Sequence, residues 1–409
     1  MADTHTQPLV EDFLYFWETI QNDFVYFDVK QVDWQQVKSI YLPRIEAIEK
    51  PIEFIPIMEE VVRELYSGHM YLMTHIPNQS HQLVPSGADV WAEFEGEAAV
   101  IIDVKEGGLA EKSGINVGMK VHQVEGKPIK AQVEALLPKA VSTHTREMYV
   151  FAVNTLLAGK HDADRHWEVA SGGEKQAITL TKTTLPTRPL FEMNVLEGNI
   201  GYLRLHNSLG NNELIPHIES IFQDLTDTVG LILDLRDTPG GGNSTVARAI
   251  MGHLTDAEVP YQRHEFPWEE RVYGVKRRWV EYVSPRQPYY AQPVVVLVGR
   301  WTASMGEGLT IGLEGMQRAE VVGTQMGQLR GSIYTYQMPN TQIGFAIPTE
   351  KLFHLNGTAR EDFLPQHLVH HEGEALDKGI QVLEHLLLSM TENKAASRFS
   401  NEKADSTLI

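Results

Sequence analysis

The sequence predicts an α/β protein that carries a helical N-terminal domain and a β-rich middle domain, on three observations. Two apolar runs, Val229–Arg236 and Pro293–Gly299, each pass into a turn of small residues and then into a helix-like stretch, the pattern of successive strand-turn-helix units in one sheet. Ahead of them, from about residue 85 to 186, short alternating strands and turns dominate. Ahead of those, apolar residues recur at helical spacing. At 409 residues, 42% hydrophobic and 22% charged, the chain has room for two or three domains with sizeable cores.

In the first part, residues 1–75, Val10, Phe13, Leu14, Trp17 and Ile20 mark one amphipathic helix. Phe54, Met58, Val61, Val62 and Leu65 mark another after the helix-starting Pro51. This second helix is predicted to stop at Gly68 as its C-terminal cap, which leaves His69 just past its end. In the second part, residues 85–186, the strand Ala98–Val104, the short helix ending in Ser113-Gly114-Ile115, the strand start Gly118-Met119-Lys120-Val121 and the turn Glu125-Gly126-Lys127-Pro128 follow one another. This order resembles a PDZ domain, whose sheet edge accepts an extended peptide as an added strand. Residues from about 131 to 164 exceed the usual length and read as a mainly helical insertion. The insertion leaves two readings open, a peptide-binding edge or a covered, structural one.

The third part, residues 187–390, alternates strands and helices. Asn199–Leu205 is strand-like, and Leu214, Ile218, Ile221, Phe222 and Leu225 form a helical stripe. The two strand-turn-helix units follow, then strands at 319–323 and 343–348, then a closing amphipathic helix with Leu376, Ile380, Leu383 and Leu387. Between the units, residues 261–290 interleave aromatics such as Trp268 and Trp279 with bases such as Arg271 and Arg277. That stretch is either a lid or wall over a site, or a solvated hairpin away from it. The polar end, 391–409, is expected to be a disordered tail.

The chemistry concentrates in the two turns. In Trp301-Thr302-Ala303-Ser304-Met305-Gly306-Glu307, a serine stands between a strand and a helix, where a sharp turn exposes its side chain beside free N–H groups. A lone serine there is also an ordinary helix N-cap. The turn Asp237-Thr238-Pro239-Gly240-Gly241-Gly242-Asn243 lets backbone approach a ligand closely. If both turns share one sheet edge, Gly240, Gly241 and Met305 supply N–H groups for an oxyanion near Ser304.

Composition excludes several classes. Lys plus Arg number 35 against 54 Asp plus Glu, a formal charge of −19 that repels polyanions, so nucleic acid is not an expected partner. No apolar run approaches a membrane span, and residues 1–7 lack the regions of a signal peptide, so a cytoplasmic location is expected. The absence of cysteine removes disulfides and thiolate chemistry. Of the 17 histidines, His367, His370 and His371 lack a helical ligand pair, so neither metal nor other cofactor is expected.

Taken together, Leu233-Asp234-Leu235-Arg236 with Pro239-Gly240-Gly241, then Thr302-Ala303-Ser304, then Arg318–Thr324, after a PDZ-like segment, resemble the C-terminal processing (tail-specific) serine peptidases and the related tricorn core protease. The resemblance spans most of residues 10–390. It implies a crotonase- or ClpP-like core, a peptide or protein substrate such as a C-terminal segment, Ser304 as nucleophile, and a homo-oligomer as one form of assembly. The processing branch activates its serine with a lysine shortly after the Val-Gly-Thr segment. Here Gly323–Gly331 contains no lysine, and Arg330 cannot act as a base because a guanidinium does not deprotonate.

The tricorn branch uses a histidine after an N-terminal helix and a late glutamate. Tyr66–Leu72 and Gly357–Pro365 resemble those segments, implying His69 as general base and Glu361 as a group that orients the site, with Asp362 a weaker candidate. The small polar residue usual before the histidine is Gly68 here, so Ser67 would have to supply that hydroxyl. One reading is therefore a serine peptidase working through an acyl-enzyme. The alternative is a catalytically inactive ligand- or peptide-binding protein on the same fold, since relatives of this architecture include retinoid-carrying modules. Other hydrolase chemistry on an ester or small amide stays open.

Overall fold

The computed structural model of the chain describes residues 6–183 and 187–405. Its central sheet has six strands in the order His367–Leu368, Ala319–Gly323, Val294–Val298, Gly230–Asp234, Ile200–Leu205 and Phe191–Leu196. All neighbours are parallel except the last pair. Gly230–Asp234 and Val294–Val298 are buried at every residue, as expected of strands covered on both faces. Alternation sorts their side chains: Leu231, Leu233, Val294 and Val296 face helices Ile215–Asp224, Ser244–Gly252 and Met305–Gly315, whereas Ile232, Val295 and Leu297 face the closing helix through Val382 and Leu383.

The two turns predicted to share an edge do so. Thr238 and Thr302 form a parallel bridge just beyond the strand ends, with Thr238 N–H donating to Trp301 O at 3.0 Å. The charged residues of the 233–236 motif brace this edge: Arg236 Nη2 donates to Asp234 Oδ2 at 2.6 Å, and Arg236 Nη1 to Glu372 O at 3.0 Å.

A second sheet is organised by the long strand Gly344–Phe353, which pairs with Tyr71–Leu72, Ser332–Gln337 and Val259–Glu265, the last pairing onward to Arg278–Val283. Helices Gln7–Asp23, Trp34–Glu46 and Phe54–Arg63 pack on this sheet, and Phe16 and Phe345 rings lie 4.7 Å apart in a shared core. The N-terminal helices therefore do not close a core of their own.

Residues 90–180 form a six-stranded antiparallel sheet with Val90–Glu95 at one edge. The predicted insertion holds helices Ile129–Leu136 and Arg146–Ala158. Asn154, on the latter, accepts from Ala92 N–H at 2.8 Å and donates to Ala92 O at 2.9 Å. At that point the edge is already paired by a side chain.

Three expectations need adjustment. The helix after Pro51 ends at Arg63, and Gly68 is not its cap. Gly68 is a close-approach glycine instead, since a Cβ there would stand 2.4 Å from Val84 O. The 261–290 stretch is both things proposed for it: its strands wall the cleft described below, while its tip helix Pro267–Tyr273 leans on the N-terminal helices, Arg271 Nη1 donating to Phe24 O at 3.0 Å. The closing helix runs Ala375–Asp405, through most of the stretch expected to be a disordered tail; residues 406–409 lie outside the described residues. The boundary expected at 186 adjoins residues 184–186, which also lie outside them.

Candidate active site

Ser304 occupies φ 53°, ψ −112°, a backbone geometry that a non-glycine residue holds only when its surroundings impose it. The surroundings are identifiable. Gly241, at φ +62°, presses so closely that a Cβ on it would stand 2.3 Å from Ser304 Cβ and 3.0 Å from Met305 N. On the other side, Glu307 Oε2 accepts from Ser304 N–H at 2.7 Å. An ordinary N-cap is extended, whereas Ser304 sits at positive φ, so it is not an ordinary N-cap.

Glu307 also accepts from Leu329 N–H at 3.2 Å, which ties the serine turn to the segment where the lysine was missing. Arg360 Nη2 clamps the same segment by donating to Leu329 O at 2.7 Å and Gly331 O at 2.8 Å. Between these clamps the Arg330 carbonyl points at His69 and lies 3.0 Å from Nδ1. A carbonyl only accepts, so Nδ1 carries the proton and Nε2 carries the lone pair. Strand Tyr71–Leu72, paired at Tyr71 with Ala346, and strand Ser332–Gln337, paired along the same partner, bring the two segments together.

His69 and Ser304 both line one cavity of about 710 Å³, together with Gly240, Gly242, Met305 and Arg360. No hydrogen bond joins Ser304 Oγ to His69 among the described residues, a common state of unliganded sites that tighten on substrate. Burial, and then the charge of Arg360, push the His69 pKa down to about 4, so the ring is neutral at physiological pH. Burial pushes Glu307 the other way, up to about 7.

The remaining candidates fall out unevenly. Ser67 Oγ accepts from the His69 backbone N–H at 3.3 Å and so supports the loop, not the ring. Glu361 is buried, but its Oε1 lies 3.4 Å from Arg330 Nη1 and makes no hydrogen bond to His69. Its side chain reaches the segment that holds the base through Arg330. Asp362 is exposed.

Gly240 N–H donates to Asn207 Oδ1 at 2.7 Å and Gly241 N–H to Thr238 O at 3.3 Å, so the expected pair of glycine donors is engaged inside the turn itself. Met305 N–H, the first of its helix, makes no hydrogen bond among the described residues.

The sequence reading missed Glu307, although Ser304-x-x-Glu307 has the spacing of a capping box, a local signal that was there to be read. It also missed Arg360 and a second histidine in the cavity, His264 with its partners, for which no local signal exists.

Comparison with known proteins agrees with this architecture. Residues 199–364 match the profile of peptidase family S41, and residues 10–63 match that of the tricorn protease C1 domain. The carboxyl-terminal-processing protease of Picosynechococcus sp. is 23% identical over 336 residues, covering 79% of this chain and 73% of that protein. Its counterpart in Synechocystis sp. is 29% identical over 165 residues, covering 38% of this chain and 35% of that protein. Among solved structures, the photosystem II D1 C-terminal processing protease superposes with a TM-score of 0.55 at 17% identity, covering 90% of this chain and 94% of that one. Mature CPAF superposes with a TM-score of 0.62 at 15% identity, covering 94% and 97%. The non-catalytic reading finds no support in these relatives.

Proposed function

We propose, from the premise that the chain belongs to peptidase family S41 and is a serine peptidase, that Ser304 is its nucleophile and His69 its general base. One observation carries this: a serine held at positive φ and a histidine whose tautomer leaves Nε2 unprotonated face the same cavity. In the reaction Ser304 Oγ attacks the scissile carbonyl while His69 Nε2 takes its proton. The tetrahedral oxyanion forms beside the Met305 N–H, at the positive end of helix Met305–Gly315. Gly241 N–H joins it by exchanging its long bond to Thr238 O for one to the oxyanion. His69 then returns the proton to the leaving amine, and water repeats the sequence on the acyl-enzyme.

The imidazolium formed midway has a backbone carbonyl, not a carboxylate, at Nδ1. Glu361 serves as a positioning residue, holding Arg330 so that its carbonyl stays in place. The substrate is protein, and cleavage in C-terminal regions is the reading that the printed activity of the cyanobacterial relatives supports.

The test is labelling of the purified chain with a fluorophosphonate, followed by mass spectrometry of the adduct. An adduct on Ser304, absent from Ser304→Ala and lost in His69→Ala, is the expected result. An intact, folded protein that takes no label, or takes it elsewhere, overturns the assignment.

A further inference from the structure

The same cavity is lined by a cluster that this mechanism does not use. His264 Nδ1 lies 2.7 Å from Glu350 Oε1, and His264 Nε2 lies 3.4 Å from Glu281 Oε2. Trp279 stacks on the ring at 5.0 Å between centroids and 16° between planes. Gln262, only 3% exposed, touches His264 Nε2 at 3.1 Å with one end of its amide and leaves the other end unpaired among the described residues. All five side chains line the cavity that contains Ser304.

Two carboxylates face one imidazole here. Burial alone would push the Glu281 carboxyl up, but the hydrogen bond from His264 leads the interactions that bring it down to about 2, so it is ionised at neutral pH. Glu281, Glu350 and a single imidazole share this wall, so carboxyl groups outnumber the cationic group that lines it beside them. Arg248 Nε reaches Glu281 Oε1 at 3.3 Å, but its side chain is 42% exposed and does not line the cavity. An apolar side chain entering would desolvate these carboxylates with nothing in return, and an acidic one would be repelled. A cation meets the Glu281 and Glu350 carboxyl groups and the unpaired buried Gln262 Oε1.

Resting on the serine peptidase reading of Ser304, we infer that this cluster is the pocket for the substrate side chain next to the scissile bond, and that it selects a basic residue, lysine or arginine. A long alkyl stem passes Met305 while the charged head reaches Glu281 and Glu350.

The experiment uses matched peptides that differ only at the residue before the cleaved bond: lysine, arginine, norleucine or glutamate. Turnover is measured with the native chain and with Glu281→Gln and Glu350→Gln, each variant checked for unchanged thermal unfolding. Binding of the same peptides to Ser304→Ala is measured by fluorescence anisotropy. Basic peptides should exceed norleucine ones by about 10-fold or more in kcat/KM and in affinity, the worth of one charge-assisted hydrogen bond. Either carboxamide variant that folds should bring that ratio towards parity, chiefly through KM. Equal or better handling of norleucine or glutamate overturns the inference, as does a ratio unmoved in both variants. Absence of fluorophosphonate labelling would instead count against the nucleophile assignment, while the binding arm still decides the pocket.

Discussion

Two histidines in one cavity have opposite electrostatics. His69 is held by a backbone carbonyl and lies near Arg360, and burial followed by that charge lowers its pKa to about 4. At His264 burial also opposes the charged form, but hydrogen bonds to Glu281 and Glu350 outweigh it and raise the pKa above 6.5. A general base must be neutral before it can accept a proton, and the surroundings of His69 favour that form whereas those of His264 favour the charged one. A ring set between two carboxylates is suited to shape a pocket. Residue type decides neither role; the neighbours do.

The largest effect expected from breaking this comparison is an asymmetry between two substitutions. His69→Ala should lower kcat/KM by about 10⁴-fold, the upper end of what a positioned acid–base group contributes. His264→Gln should act chiefly on KM for basic peptides. Steady-state kinetics on a lysine peptide compares them, and a similar kcat loss in both would erase the distinction.

A smaller effect, and a sharper one, lies in pH. Because the lowered pKa keeps His69 unprotonated down to about 4, the acid limb of kcat/KM should fall near pH 4 and not near 6.5. NMR titration, with the rings assigned by the two substitutions, should show His264 protonating at higher pH than His69. The reverse order would contradict the environments described. Glu361→Gln should weaken the hold on Arg330 and cost about 10-fold in kcat, with KM and thermal unfolding little changed and the acid limb displaced.

The smallest effect is on stability. Glu307 has a folded pKa of about 7 against 4.5 for a free carboxyl, so between those values the folded state binds more protons and stability falls as pH rises. His69, lowered from 6.5 to about 4, makes the unfolded state bind more protons, so its contribution rises with pH over that window. The two oppose each other in the native chain. Glu307→Gln removes only the first, so relative to the native chain its urea midpoint should gain stability between about pH 5 and 7, on the order of 1–3 kcal/mol. A parallel pH dependence in both proteins would show that Glu307 is not buried as described.

How legible each end of the cavity was follows from how local it is. The Ser304 turn is one short segment between a buried strand and a helix, and the run of glycines after Pro239 announces a close backbone approach that Gly241 makes. Resemblance pointed to His69, but not to its partner. The missing lysine made residues 325–331 look like a loss, whereas the structure uses that segment's backbone carbonyl, a group every residue possesses and no sequence pattern marks. Gly68 was misread because a glycine after a helix suggests a cap, while the actual demand is room beside Val84 O, where a Cβ would stand 2.4 Å away. The long closing helix was underestimated because its polar end carries no apolar stripe for the periodicity argument to use.

By itself the sequence determined the α/β class, the two strand-turn-helix units of the core, and their turns at one sheet edge, because periodicity and glycine placement act over a few residues. It also excluded thiolate chemistry and an arginine base, because those follow from residue identity alone. Only the tertiary structure decided which nitrogen of His69 is free, that Glu307 joins the serine turn to the histidine's carbonyl, and that His264 meets Glu281 and Glu350. Strand Gly344–Phe353 pairs with Tyr71–Leu72, Ser332–Gln337 and Val259–Glu265, segments far apart in the chain. Protonation and charge depend on distances of a few ångströms across such pairings, and no local pattern carries them.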